Sequence, residues 1–142
     1  MKPPLSTGSL PLVLAGRFKP WAIEVGHSKL LIRGFKGDPE GEEAPEVTDV
    51  LFQDVSYFSL AALFSDLELR VADPEVKREE ERRVGATWRH ERMFLLGPAV
   101  DSGFVIAGYV FWARIMSGGG SPSPLLAEEI GPGDVQGDIY RF

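Results

Sequence analysis

The stretch Phe104-Val-Ile-Ala-Gly-Tyr-Val-Phe-Trp-Ala-Arg-Ile-Met116 decides the fold class of this chain. It is β-branched and aromatic, and its interior holds one charge, Arg114, and one glycine, Gly108. A membrane helix needs roughly twenty consecutive apolar residues, which this run does not supply. Val105, Ile106, Tyr109, Val110, Phe111 and Trp112 favour a pleated strand over a helix. Both faces are apolar, so the strand is expected in the middle of a sheet with cover on each side. The expected architecture is α+β, mainly antiparallel β. It would be a sheet, a sandwich or a partly open barrel of roughly seven strands with one surface helix.

Working outward, Leu10–Ala15 reads as a first strand, with Pro11 at its start or on an exposed edge. Met1–Gly8 reads as a loose arm. Trp21-Ala-Ile-Glu-Val25 alternates, with Trp21, Ile23 and Val25 on one face. Gly26-His27-Ser28 is a turn signal and Lys29–Arg33 the return strand, which together predict a hairpin. Val47–Val55 and Leu67–Val71 resume the strand pattern, and Thr87–Leu96 reads as the next strand.

The best helix signal is Asp73-Pro74-Glu75. Asp73 is placed to cap free amides, Pro74 suits the first helical position, and Glu75 complements the dipole. Gly85 is a left-handed terminator. Ser117–Pro124 is a Gly/Ser/Pro connector. The expected organisation is therefore a β-rich domain over 1–116, a connector over 117–124, and a C-terminal tail over 125–142 that docks back or swaps.

Composition bounds the function classes. The 142 residues suit one domain, and the chain has no cysteine, which removes disulfides, cysteine-ligated metals and thiol catalysis. The N-terminus lacks the apolar core of a signal peptide, so a cytoplasmic location is expected. The net charge is −6. Nucleic acid and anionic membranes are disfavoured as partners; the balance would suit a basic protein partner, although moderate acidity more often only keeps a protein soluble.

No catalytic constellation emerges. His27 and His90 are the only histidines. Alternation along a Thr87–Leu96 strand would put His90 beside Trp88 and Phe94, where it reads better as a structural residue than as a general base. A hydrolase using Asp49, His90 and Asp101 ranks last among the readings. Asp38, Glu40, Glu42 and Glu43 form an acidic loop whose order does not match a calcium-binding loop, so no metal and no cofactor is expected. Those four acids are the candidate partner-binding residues. Trp21, Trp88, Trp112 and His90 are the candidate ligand-binding residues, although tryptophans in a β protein more often fill its core.

Phe18–Arg33, followed by Asp49-Val-Leu-Phe-Gln-Asp-Val55, resembles small uncharacterised bacterial proteins. In these a tryptophan-bearing strand, a Gly-His-Ser turn and an Asp-Val-Leu-Phe strand follow in that order. The resemblance implies strand structure and no site residue. Some proteins of this size and architecture are immunity factors for toxins, an analogy of fold alone. The leading expectation is a non-catalytic protein-interaction module, of immunity or accessory type. The alternative is a small-molecule carrier with a pocket lined by the tryptophans. An uncovered strand edge or an exchanged tail would make a homodimer.

Overall fold

The computed structural model describes residues 3–37, 41, 43–116 and 118–142. In chain order the strands are β1 (Leu5–Thr7), β2 (Leu12–Glu24), β3 (Lys29–Lys36), β4 (Glu46–Gln53), β5 (Tyr57–Ser59) and β6 (Phe64–Val71). The helix α1 (Pro74–Val84) follows, then β7 (Arg92–Leu95), β8 (Phe104–Ala107), β9 (Tyr109–Ile115) and β10 (Val135–Arg141). All ten strands form one open sheet in the order β1-β10-β9-β4-β3-β2-β6-β7-β8-β5. Every pairing is antiparallel except that of β1 with β10. The mainly antiparallel α+β expectation is met, with ten strands in place of seven and no closure.

The extra strands have identifiable causes. The apolar run 104–116 is two strands, broken at Gly108, whose amide is shared between the carbonyls of Gln53 and Asp54. The break moves the run from one neighbourhood to another. β8 pairs with β7 and β5, whereas β9 pairs with β4 and β10. Conversely, the two expected strands at 10–15 and 21–25 are one strand, β2, bent by register shifts between Leu14 and Arg17 and between Pro20 and Ala22. Gly16 takes φ 134°, and a Cβ there would lie 2.6 Å from the Phe35 carbonyl oxygen, so glycine is required at this bend. Pro20 lies beyond the end of the β6 ladder, which reaches β2 only as far as Phe18, and so sits where β2 has a neighbour on one side alone, the kind of margin proline occupies.

Residues 5–7 of the expected loose arm form β1, in register with Ile139–Arg141. The hairpin at 21–33 is present, its turn a 3-10 segment at Val25–His27 followed by Ser28 at φ 52°. The inward face of this hairpin ends at Trp21, however. Ile23 is 53% exposed and Val25, inside the turn, 85%.

The sheet is covered on both sides by three apolar clusters. The central one holds Phe18, Leu30, Ile32, Phe52, Leu67, Phe94, Val105 and Trp112. A second holds Leu31, Leu51, Ala113 and Ile139 beneath Leu125, Leu126 and Ile130 of the C-terminal segment. A third holds Met93, Leu95, Phe104 and Ile106 beneath Val76 and Val84 of α1. This arrangement explains the near-continuous apolar strands: successive side chains enter different clusters on opposite faces.

α1 has the expected limits, with Pro74 in its first turn and Gly85 at φ 79° after its end. Asp73 precedes it in extended conformation, but its side chain caps no amide. The expected strand at Thr87–Leu96 begins only at Arg92. The reason is visible at Trp88, whose amide donates to Glu81 Oε2 at 2.8 Å and whose carbonyl accepts from Lys77 Nζ. Both backbone groups are bonded to helix side chains, so they are not free for a neighbouring strand.

Candidate functional site

Chemistry needs polar groups held in place and free to react, so the buried polar side chains come first. Arg33 on β3 and Asp49 on β4 are both 0% exposed and occupy paired register positions. Arg33 Nε donates to Asp49 Oδ1 at 2.7 Å and Nη2 donates to Oδ2 at 2.9 Å. Nη1 donates to the carbonyls of Gly119 at 2.9 Å and Ser121 at 2.5 Å. The guanidinium carbon also lies 4.7 Å from the Trp21 ring centroid. Both carboxylate oxygens of Asp49 are thus engaged, and its role is to bind the arginine that ties the connector to the sheet. Asp49 is also fully buried, so its carboxylate is not presented to a substrate on the surface.

The candidate ligand-binding residues are dispersed. Trp21 packs in the second cluster, Trp88 in the third and Trp112 in the central one. Trp112 stacks on Tyr140 at 5.8 Å, and Trp88 packs against Tyr57 at 5.5 Å. Trp88 and Trp112 are buried in different clusters and Trp21 is half-buried against another, so the three rings share no pocket. His90 is exposed in the irregular segment before β7, so the expected face shared with Trp88 and Phe94 does not form. Trp88 and Phe94 enter different clusters.

Beside His90, Glu91 accepts from Ser56 Oγ at 3.0 Å and from the His90 amide at 3.3 Å. Partial burial pushes the Glu91 carboxyl up, but hydrogen bonds from its own amide, Ser56 and the His90 amide outweigh this and hold it below the usual range. Asp38, Glu40 and Glu42 of the acidic loop lie outside the described residues, and Glu43 is exposed. Among the described residues there is no cluster of three metal-ligating side chains and no helix long and apolar enough to cross a membrane.

A groove that reading the sequence did not single out lies at the open end of the sheet. It measures about 430 Å³. One wall is the β2–β3 hairpin, with Ile23, Val25 and Lys29, and the other is the start of β5, with Val55, Tyr57 and Phe58. A hydrogen bond from the Val55 amide to the Ser28 carbonyl at 3.0 Å links the walls. Among the described residues β5 is the last strand of the sheet and pairs only with β8.

Tyr57 anchors that strand inward. It stacks on Phe104 at 5.8 Å and meets α1 through Arg83, whose guanidinium is held above its ordinary value by the hydrogen bonds it donates to Glu80 and Tyr57. Its neighbour Phe58 points the other way and is 39% exposed. A signal for this groove existed in the sequence: Ile23 and Val25 continue the apolar phase of Trp21 into a turn, where nothing covers them.

No family model, curated protein or solved structure matches the chain.

Proposed function

We propose that this chain is a non-catalytic protein-interaction module, an accessory or immunity-type factor, that receives an extended segment of a basic protein at the free edge of β5. The observation that carries this reading is the pairing of an unpartnered strand edge with exposed Ile23, Val25 and Phe58 across one groove. An open edge offers backbone donors and acceptors to an incoming strand, and flanking apolar side chains give that strand pockets to fill. The occupant is basic because the chain carries a net charge of −6, and complementary charge accelerates encounter and rejects wrong partners. The candidate acids at 38–43 would add to that attraction.

The test uses the absence of native cysteine. A photo-crosslinker on Val25→Cys should trap a discrete partner in the native cells, and a crosslinker on Arg78→Cys of α1 should not. Adding Phe58→Asp to the Val25→Cys chain should abolish the adduct while leaving the thermal melt unchanged. Equal adducts from both positions, or persistence with Phe58→Asp, would overturn the reading. The carrier alternative gains no specific support from the placement of the three tryptophans.

A further inference from the structure

The sheet face that carries the second cluster is not completely filled. Between β4, β9 and β10 on one side and the segment 125–130 on the other lies a pocket of about 280 Å³. Leu51, Phe111 and Ile139 form its floor, Leu125 and Ile130 belong to its roof, and Leu5 of β1 also lines it. Leu51 and Phe111 are register partners, as are Leu5 and Ile139. Floor and roof pack in one cluster, so these side chains meet on a single face of the sheet. The roof is pinned at both ends. Ser123 Oγ accepts from the Leu125 amide at 3.2 Å, the Gly131 amide donates to Asp134 Oδ2 at 2.7 Å, and the Met116 amide donates to the Asp134 carbonyl at 3.0 Å.

Charge decides what such a pocket accepts. The charged side chains that line it are Glu128 and Glu129, both exposed and, among the described residues, neither in an ion pair. No cationic side chain lines it among the described residues, whereas the β5 groove has Lys29 in its wall. Arg141 shares this face, but its guanidinium rests on Tyr109 at 4.8 Å and stands 5.9 Å from the Phe111 centroid, outside the lining of the pocket. We infer that the pocket binds a small apolar organic amine in its protonated form. The apolar body is removed from water against Leu51, Phe111 and Ile139, and the ammonium is matched by the Glu128 and Glu129 carboxylates. Gln53 also lines the pocket and offers a neutral acceptor for an ammonium N–H. Small-molecule sites run from roughly 300 to 1,000 Å³, so this volume, at the bottom of that range, limits the ligand to one ring or a short chain.

The experiment is a titration of the full chain at neutral pH and low salt with phenethylamine, phenethyl alcohol and hydrocinnamate, followed by side-chain methyl NMR shifts. The three probes share a phenyl ring and differ in charge. The amine should saturate and shift the methyl groups of Leu5, Leu51, Leu125 and Ile139, with the alcohol and the carboxylate weaker. Glu128→Gln combined with Glu129→Gln should weaken the amine about fivefold, the scale of two exposed ion pairs, and leave the alcohol unchanged. Arg141→Gln should not weaken the amine. No saturation of these methyl groups by about 10 mM, weak even for a ligand of so few atoms, would overturn the proposal. Equal affinity for the three probes would overturn it, as would amine binding indifferent to the double variant. A preference for the carboxylate that is lost with Arg141→Gln would reverse the sign of the site and overturn it too, and so would shifts at Ile23 and Val25 in place of the four methyl-bearing residues. The pocket shares no lining residue with the β5 groove, so failure here leaves the protein-docking reading standing.

Discussion

Arg33 spends four of its five N–H donors inside the protein, two on Asp49 and two on carbonyls of the connector. Two desolvated charges are held by geometry, and the net worth of such a pair against apolar residues is small. Breaking it from one side is another matter, since the surviving charge stays buried with no partner. Asp49→Ala is expected to cost about 3–5 kcal/mol, while Asp49→Leu combined with Arg33→Met should cost much less than the two single changes added together. Urea denaturation of wild type, Asp49→Ala, Asp49→Leu, Arg33→Met and the double variant measures this directly, and additive losses would show that the two side chains act independently. The pair left a trace in the sequence. Arg33 continues the phase of Leu31, and Asp49 sits between Val47 and Leu51, so each is a lone charge at a position where its strand is buried. What the sequence could not show is that the two positions face each other, because register across sixteen residues is set by tertiary pairing.

At the scale of elements, local chemistry was legible and long-range pairing was not. The helix at 74–84 and the hairpin at 21–33 were readable because capping, turn and alternation signals act within a few residues. The merger of two strands into β2 depends on Gly16 passing under the Phe35 carbonyl, and the split at Gly108 depends on Gln53 and Asp54, all contacts with distant segments. The short β1 exists only because β10 lies beside it. Of the groove only the wall formed by Ile23 and Val25 left a trace, since its two walls meet only when β5 is carried to β8 and the hairpin tip reaches Val55. The bend in β2 can be tested against a glycine that lacks these constraints. Gly16→Ala places a Cβ against backbone at a φ that alanine rarely adopts, so a loss of about 2 kcal/mol or more is expected. Gly26→Ala meets nothing within 4 Å and should stay within about 0.5 kcal/mol of wild type. Chemical denaturation of both variants reads the difference, and equal midpoints would mean that β2 bends without help from Gly16.

For the molecule as a whole, the C-terminal segment is a structural layer. β10 separates β1 from β9, and Leu125, Val135 and Ile139 are buried against Leu31, Leu51 and Ala113. Fully burying one aliphatic side chain is worth about 1.5–3 kcal/mol, so these three contribute roughly 5–9 kcal/mol. That is comparable to the entire stability of an ordinary domain, roughly 5–15 kcal/mol. A chain ending at Met116 would lose this contribution and uncover the second cluster. It would also leave β1 without its ladder and Arg33 without the carbonyls of Gly119 and Ser121. Such a chain is expected to aggregate or to lose cooperative melting, because exposed apolar surface beside the new free edge of β9 recruits other chains. Sedimentation velocity and calorimetry on the two lengths decide the point. A truncated protein that stays monodisperse and melts at the full-length midpoint would mean that the second cluster adds little and that the body of the sheet is held by the central cluster and α1 alone.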